Sequence, residues 1–155
     1  MKFCLGHIIL IWLISLNLCR AQDLQWTSID NLNDSIRKQP KPVLIFIYTD
    51  WCKYCKMQEN NTFANDEVAS KLNNDFYAIR LNGESREPIK FLNRIYQFRP
   101  NGSETGSHEL AEYLAKKDDE IVYPTTVFLT PQLLIASKIS GFINSSDLLN
   151  LLAQH

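Results

Sequence analysis

Five residues, Trp51-Cys52-Lys53-Tyr54-Cys55, constrain this chain more than any other stretch. Before them runs Pro42-Val43-Leu44-Ile45-Phe46-Ile47-Tyr48, apolar throughout and rich in β-branched and aromatic residues, which is the pattern of a strand buried on both faces. After them the spacing turns helical. A Cys-x-x-Cys at a strand-to-helix junction sets its first sulfur at a helix N-terminus, where unpaired N–H groups and the helix dipole favour a thiolate. Cys52 is therefore the candidate nucleophile. Two intervening residues span most of one helical turn, so Cys55 can reach back to Cys52 and close a disulfide. Cys55 is the candidate resolving cysteine, and the pair can cycle between dithiol and disulfide.

The other two cysteines, Cys4 and Cys19, fall in a segment that reads as a signal peptide. Lys2 supplies its positive start, Ile8 to Leu18 its apolar centre, and Cys19-Arg20-Ala21 the small residues before a cleavage site. Residues 1–21 are assigned to the signal and 22–155 to the mature domain. A retained membrane anchor is the rival reading, but the apolar stretch is too short to span comfortably. Attachment of lipid at Cys19 is disfavoured by Leu18, where a small residue would be expected. With the signal removed only Cys52 and Cys55 remain, so no framework of structural disulfides is possible. A pair so close in sequence removes little entropy from the unfolded chain, and redox chemistry accounts for it better than stapling does.

The chain of 155 residues, 45% of them hydrophobic, has the size and composition of one globular domain. A net charge of −1 without a basic block gives no footprint for nucleic acid. Zinc would need four ligands, and the mature chain offers beside the two sulfurs only His108 and His155, without paired spacing. No metal site and no cofactor are expected beyond the cysteine pair itself. Copper(I) on the two thiolates is the alternative, with Met57 as the one nearby soft ligand.

Along the chain, Thr27 with Asp30 reads as the cap of a first helix, with Ile29, Leu32 and Ile36 on one face and Pro40 and Pro42 as its stop. The helix after the cysteines should end near Asn60, and Asn65 should cap a further helical segment through Val68 and Leu72. Phe76 to Asn82 reads as a strand ended by Gly83. Within residues 83–107, Ile89-Lys90-Phe91 and Ile95-Tyr96-Gln97-Phe98 read as a hairpin around Leu92-Asn93-Arg94, although Ile89, Leu92 and Ile95 also fit a helix, and turns follow at Pro100-Asn101-Gly102 and Gly106. Ser107 should cap a helix with Leu110, Tyr113 and Leu114 inward, leaving His108 exposed in its first turn. Thr126 to Leu129 and Leu133 to Ser140 read as a hairpin, and Asn144 or Ser145 caps a last helix carrying Leu148, Leu149, Leu151 and Leu152.

Over residues 27 to 155 the chain resembles the thioredoxin superfamily. The resemblance is carried by Trp-Cys-x-x-Cys after a buried strand, by Tyr123-Pro124-Thr125 before a second apolar run, and by Gly141 and the leucine-rich end. It implies an α/β thioredoxin fold: a central mixed sheet with helices on both faces and an insertion, about 83–107, before the helix leading to the cis-proline loop. It implies that Pro124 is cis and lies against the disulfide, and that the backbone of Tyr123 pairs with an incoming substrate chain. Trp51 is expected to cover the disulfide, Tyr54 to contact partners from the surface, and Lys53 and Lys56 to add positive potential that Asp50 opposes. One departure stands out. Where thioredoxins bury an aspartate beside the resolving cysteine this chain has Phe46, with Arg80 at the position of its lysine partner, so proton transfer at Cys55 must use water, Arg80 indirectly, or a carboxylate such as Glu59.

The function implied is that of an exported thiol–disulfide oxidoreductase, periplasmic in the first instance, secreted or membrane-anchored otherwise. It would act as a monomer on protein thiols and disulfides, in the reducing direction, fed by a membrane or thioredoxin-type electron donor. The alternative is a non-catalytic module of the same fold that holds a partner protein or Cu(I) through the pair.

Overall fold

The computed structural model describes residues 23–118 and 120–155, so the signal segment, with Cys4 and Cys19, lies outside the described residues. The apolar run before the cysteines is strand β1 (Val43–Tyr48), central in a four-stranded mixed sheet. It pairs in parallel with β2 (Tyr77–Asn82), Ile45 opposite Ile79. On its other side it runs antiparallel to β9 (Thr125–Leu129), Ile45 opposite Val127, and β9 pairs in turn with the edge strand β10 (Ile135–Ser140). The absence of alternation in β1 has a direct cause. Val43, Ile45 and Ile47 enter one buried cluster and Leu44 and Phe46 the other, because successive side chains of a strand point to opposite faces and here both faces are covered.

The first face is covered by α1 (Leu32–Lys38) through Leu32 and by α4 (Glu109–Ala115) through Leu110, Ala111 and Leu114. On the second face lie α2 (Lys53–Met57), α3 (Asp66–Asp75) and α5 (Ser145–Leu152), which bring Cys55, Val68, Leu72, Leu148 and Leu152 against Phe46 and Phe128. Asn65 and Asn144 cap α3 and α5, accepting from Val68 N at 3.1 Å and Asp147 N at 2.9 Å. Leu149 and Leu151 are only partly buried beside the fully covered Leu148 and Leu152.

Four local readings are corrected. Thr27 does not cap the first helix: Trp26 still bridges to Ala78 and Thr27 N donates to Ala78 O at 2.7 Å, so the chain is extended there. A 3₁₀ turn (Ile29–Asn31) then leads into α1. The cysteine helix does not stop near Asn60 but continues as a π-helical turn (Gln58–Phe63). Two buried polar side chains hold that turn: Gln58 donates to Thr126 Oγ1 at 3.2 Å and accepts from Ile143 N at 3.0 Å, and Thr62 donates to Ile143 O at 2.6 Å. Each such bond contributes about 1 kcal/mol net and would cost more if left unmade. Third, Leu92 and Asn93 alone form the first hairpin's turn, both at positive φ (50° and 61°), with Phe91 opposite Arg94. The strands are β3 (Ile89–Phe91) and β4 (Arg94–Tyr96).

The rest of the insertion also departs from its local pattern. The turns around Pro100 and Gly106 belong to a second hairpin, β5 (Phe98–Pro100) with β6 (Gly106–His108). His108 is fully buried, not exposed, and it rather than Ser107 caps α4, its Nδ1 accepting from Leu110 N at 3.1 Å. After α4 a short ladder of β7 (Lys116–Lys117) and β8 (Glu120–Ile121) leads toward β9.

Candidate active site

At the C-terminal end of β1 the chain turns through Thr49, Asp50 and Trp51, and Cys52 N donates to Thr49 O at 3.2 Å. Cys52 is the N-cap of α2, and Cys55 faces it one turn on; the two are joined in a disulfide with their Cα atoms 5.2 Å apart. The N–H of Cys55 donates to Cys52 Sγ at 3.1 Å, so the helix end places a backbone donor on the first sulfur. Exposure separates the two cysteines little, 4% against 1%. Both belong to the cluster that contains Phe46.

The β9 approach completes the site from the opposite side. The Tyr123–Pro124 peptide bond is cis, Pro124 is buried, and its carbonyl accepts from Gly141 N at 2.7 Å. Tyr123 packs against the clusters on both faces of the sheet, and its ring meets the Trp51 indole edge to face, centroids 6.0 Å apart. Burial pushes the Tyr123 phenol up to about 12, with the nearby carboxylates of Glu84 and Glu112 acting in the same direction. Trp51 and Tyr54 are largely exposed (65% and 64%), and Lys53 stands exposed between the cysteines. Thus Trp51, Cys52, Cys55 and Tyr123 come together, with Pro124 bonded to the last of them.

Phe46 is fully buried among Trp26, Tyr48 and Phe63, so no acid lies at that point of the core. Arg80 forms an ion pair with Glu59, which follows Cys55 by one turn, and its guanidinium lies over the rings of Tyr48 (4.6 Å) and Trp26 (5.7 Å). Neither histidine of the domain takes part. His108 is engaged as a helix cap, and His155 stacks on Phe128 at 4.5 Å. Among the described residues no group of three or more His, Cys, Asp or Glu is placed to hold a metal ion.

Two residues next to the site carry no signal in the sequence beyond a strand's end. Glu84 accepts the indole N–H of Trp51 at 3.0 Å, and Gly83 lies beneath Tyr123 with no room for a side chain, since a Cβ there would stand 2.2 Å from the phenol oxygen. Both contacts join segments more than thirty residues apart, which local pattern does not report.

Two cysteines bonded at the start of a helix, on the end of a central strand of this fold, define a thiol–disulfide oxidoreductase site. The chain belongs to the thioredoxin-like family, whose family model matches residues 25–131. It is 28% identical over 122 residues to the thiol:disulfide interchange protein DsbD of Pectobacterium atrosepticum, covering 77% of this chain and 17% of that protein. It is 25% identical over 100 residues to the human spermatogenesis-associated protein 20, covering 64% of this chain and 11% of the relative. The chain therefore spans less than a fifth of the length of these curated relatives. Among solved structures, a thioredoxin from Thermus thermophilus superposes with a TM-score of 0.61 at 18% identity, over 85% of this chain and 86% of that one. The C-terminal domain of Neisseria meningitidis DsbD in its oxidised form does so at 0.55 and 16% identity, over 81% and 90%.

Proposed function

We propose that residues 22–155 form an exported domain that reduces disulfides in partner proteins, with Cys52 as nucleophile and Cys55 as resolving cysteine. The observation that carries this reading is the backbone N–H of Cys55 set on Cys52 Sγ at the start of α2, which favours negative charge on that sulfur. In the dithiol form the Cys52 thiolate attacks one sulfur of a substrate disulfide, a mixed disulfide forms, and the substrate's other sulfur leaves as a thiol. Cys55, deprotonated, then attacks Cys52 Sγ, releases the second substrate thiol and restores the Cys52–Cys55 disulfide. Two electrons pass to the substrate, and an external dithiol donor must return them.

Phe46 offers no acceptor for the Cys55 proton, which leaves water, Arg80 indirectly, or the carboxylate of Glu59, one turn on from Cys55 and ion-paired with Arg80. Tyr123 and Pro124 form the surface along which the substrate lies, and Trp51, Lys53 and Tyr54 frame the entrance. Export is supported by the pattern of Lys2, Ile8 to Leu18 and Ala21, and thiol–disulfide exchange by the similarity to a thiol:disulfide interchange protein; the reducing direction follows the resemblance to exported thioredoxin-like reductases. The test is reduction of insulin by the purified protein with a dithiol supplied, beside Cys52→Ser. Reduction by the wild type that the variant loses is expected; no reduction by the wild type would favour a module that only holds its partner.

A further inference from the structure

The insertion leaves and returns at one point, at the end of β1. Gly83 N donates to Tyr48 O and Gly83 O accepts from His108 N, both at 2.7 Å, so residues 84–107 are a closed excursion from the end of β2. Between the hairpin β5–β6 and the loop that carries the cysteines lies a cleft of about 370 Å³, whose lining includes Asp50, Trp51, Glu84, Arg86, Phe98 and Glu104. Three of these residues carry carboxylates and one a guanidinium. That guanidinium already has a place, over the Phe98 ring at 5.0 Å with its N–H on Glu104 O at 3.2 Å. The carboxylates of Asp50 and Glu84 instead bond neutral donors, Asn82 Nδ2 at 3.2 Å and Trp51 Nε1 at 3.0 Å. Lys53 and Lys56 do not line it.

We propose that this cleft is a specificity pocket for a lysine or arginine side chain lying within about three residues of the reactive cysteine of a partner polypeptide. The inference rests on the oxidoreductase reading and adds to it the chemistry of the substrate. A substrate sulfur brought to Cys52 fixes where its neighbours fall, because an extended chain advances about 3.3 Å per residue. Trp51, the chain neighbour of Cys52, lines the cleft, so flanking residues on the Trp51 side come within reach of its mouth. There a cation meets carboxylates and the face of an exposed indole, a pairing that is favourable for a Lys or Arg head group. Glu84 holds that indole by its N–H, and the cleft already seats one cation, Arg86, over Phe98 in the same manner.

The experiment uses the reduced full-length mature protein and three peptides, each joined through its single cysteine to mercaptoethanol and differing only in Lys, Gln or Glu at the flanking positions. Each turnover converts one mixed disulfide to peptide thiol and mercaptoethanol and oxidises one Cys52–Cys55 pair. The Lys peptide should react about tenfold faster than the Glu peptide at low ionic strength, and the ratio should shrink in 0.5 M salt, as charge steering does. In Glu84→Gln/Glu104→Gln, which keeps the acceptor for Trp51, the ratio should fall to about twofold; Glu104→Gln alone, at an exposed position, serves if the double variant does not fold. The ratio is read because general damage to the protein would slow all three peptides together. Equal rates for the three peptides, or a ratio that survives both substitutions, would overturn the pocket. Uncharged bis(2-hydroxyethyl) disulfide separates the two layers of the argument: its reduction with no discrimination among peptides removes the pocket alone, whereas failure to reduce any disulfide removes the oxidoreductase reading and the pocket with it.

Discussion

The backbone N–H of Cys55 donates to the sulfur of Cys52 at 3.1 Å, and both cysteines are buried in the cluster that contains Phe46. The two cysteines hardly differ in exposure, so the difference in reactivity that the proposed mechanism requires rests on this donor and on the helix end that supplies it. The proposed mechanism makes Cys52 the stabilised thiolate of the reduced protein, and only a thiolate is alkylated. Iodoacetamide at pH 6 should modify Cys52 about tenfold faster than Cys55, as read by peptide mass. Faster labelling of Cys55 would reverse the assigned roles.

His108 makes the join between insertion and domain sensitive to acid. Its Nδ1 accepts from Leu110 N and its Nε2 meets Glu87 O at 3.2 Å, which requires a neutral ring protonated on Nε2. Burial lowers its pKa below 6.5, against smaller raising effects from the Glu87 carbonyl and the carboxylates of Glu109 and Glu112. Between the lowered folded value and 6.5 the unfolded chain binds the proton and the folded chain does not, so this contribution is present above 6.5 and is lost as the pH falls. His108→Ala should cost about 1–2 kcal/mol at pH 7.5 through the lost cap and should flatten the fall in stability toward pH 5.5. Urea midpoints at the two pH values read both effects, and equal slopes for wild type and variant would contradict the assignment.

Gly83 is required by its neighbour rather than by its own backbone. A methyl group there would overlap the Tyr123 phenol, 2.2 Å from its oxygen and 2.5 Å from a ring carbon. Gly83→Ala should therefore cost about 1–3 kcal/mol, as overpacking does, and should move Tyr123 away from Trp51. Chemical unfolding together with near-ultraviolet circular dichroism checks this; full stability with an unchanged aromatic signal would show that the ring has room to yield.

What the sequence disclosed follows from the range over which its signals act. Strand β1, the helix cap at Asn65 and the Cys52/Cys55 junction are written in contiguous residues, and each is found where the local pattern sets it. Hairpin β5–β6 is not legible, because Phe98-Arg99-Pro100 and Gly106-Ser107-His108 are too short to alternate and contain the residues that normally mark turns. The π-helical turn depends on Gln58 and Thr62 finding partners at Thr126 and Ile143, far along the chain. His108 looked like a surface residue because its partners are backbone groups, which no residue type announces. The Trp51–Glu84 bond was hidden for the same reason of distance, and with it the wall that the insertion builds beside the cysteines.

The central claim, that Cys52 attacks and Cys55 resolves, is tested most directly by trapping. Reduced Cys55→Ser and reduced Cys52→Ser are each mixed with a disulfide-bonded protein, and covalent adducts are counted by intact mass without reductant. Loss of the resolving sulfur leaves the first step intact and stops the second, so Cys55→Ser should accumulate a mixed disulfide through Cys52, while Cys52→Ser should accumulate little or none. Adducts that form mainly with Cys52→Ser, through Cys55, would contradict the account.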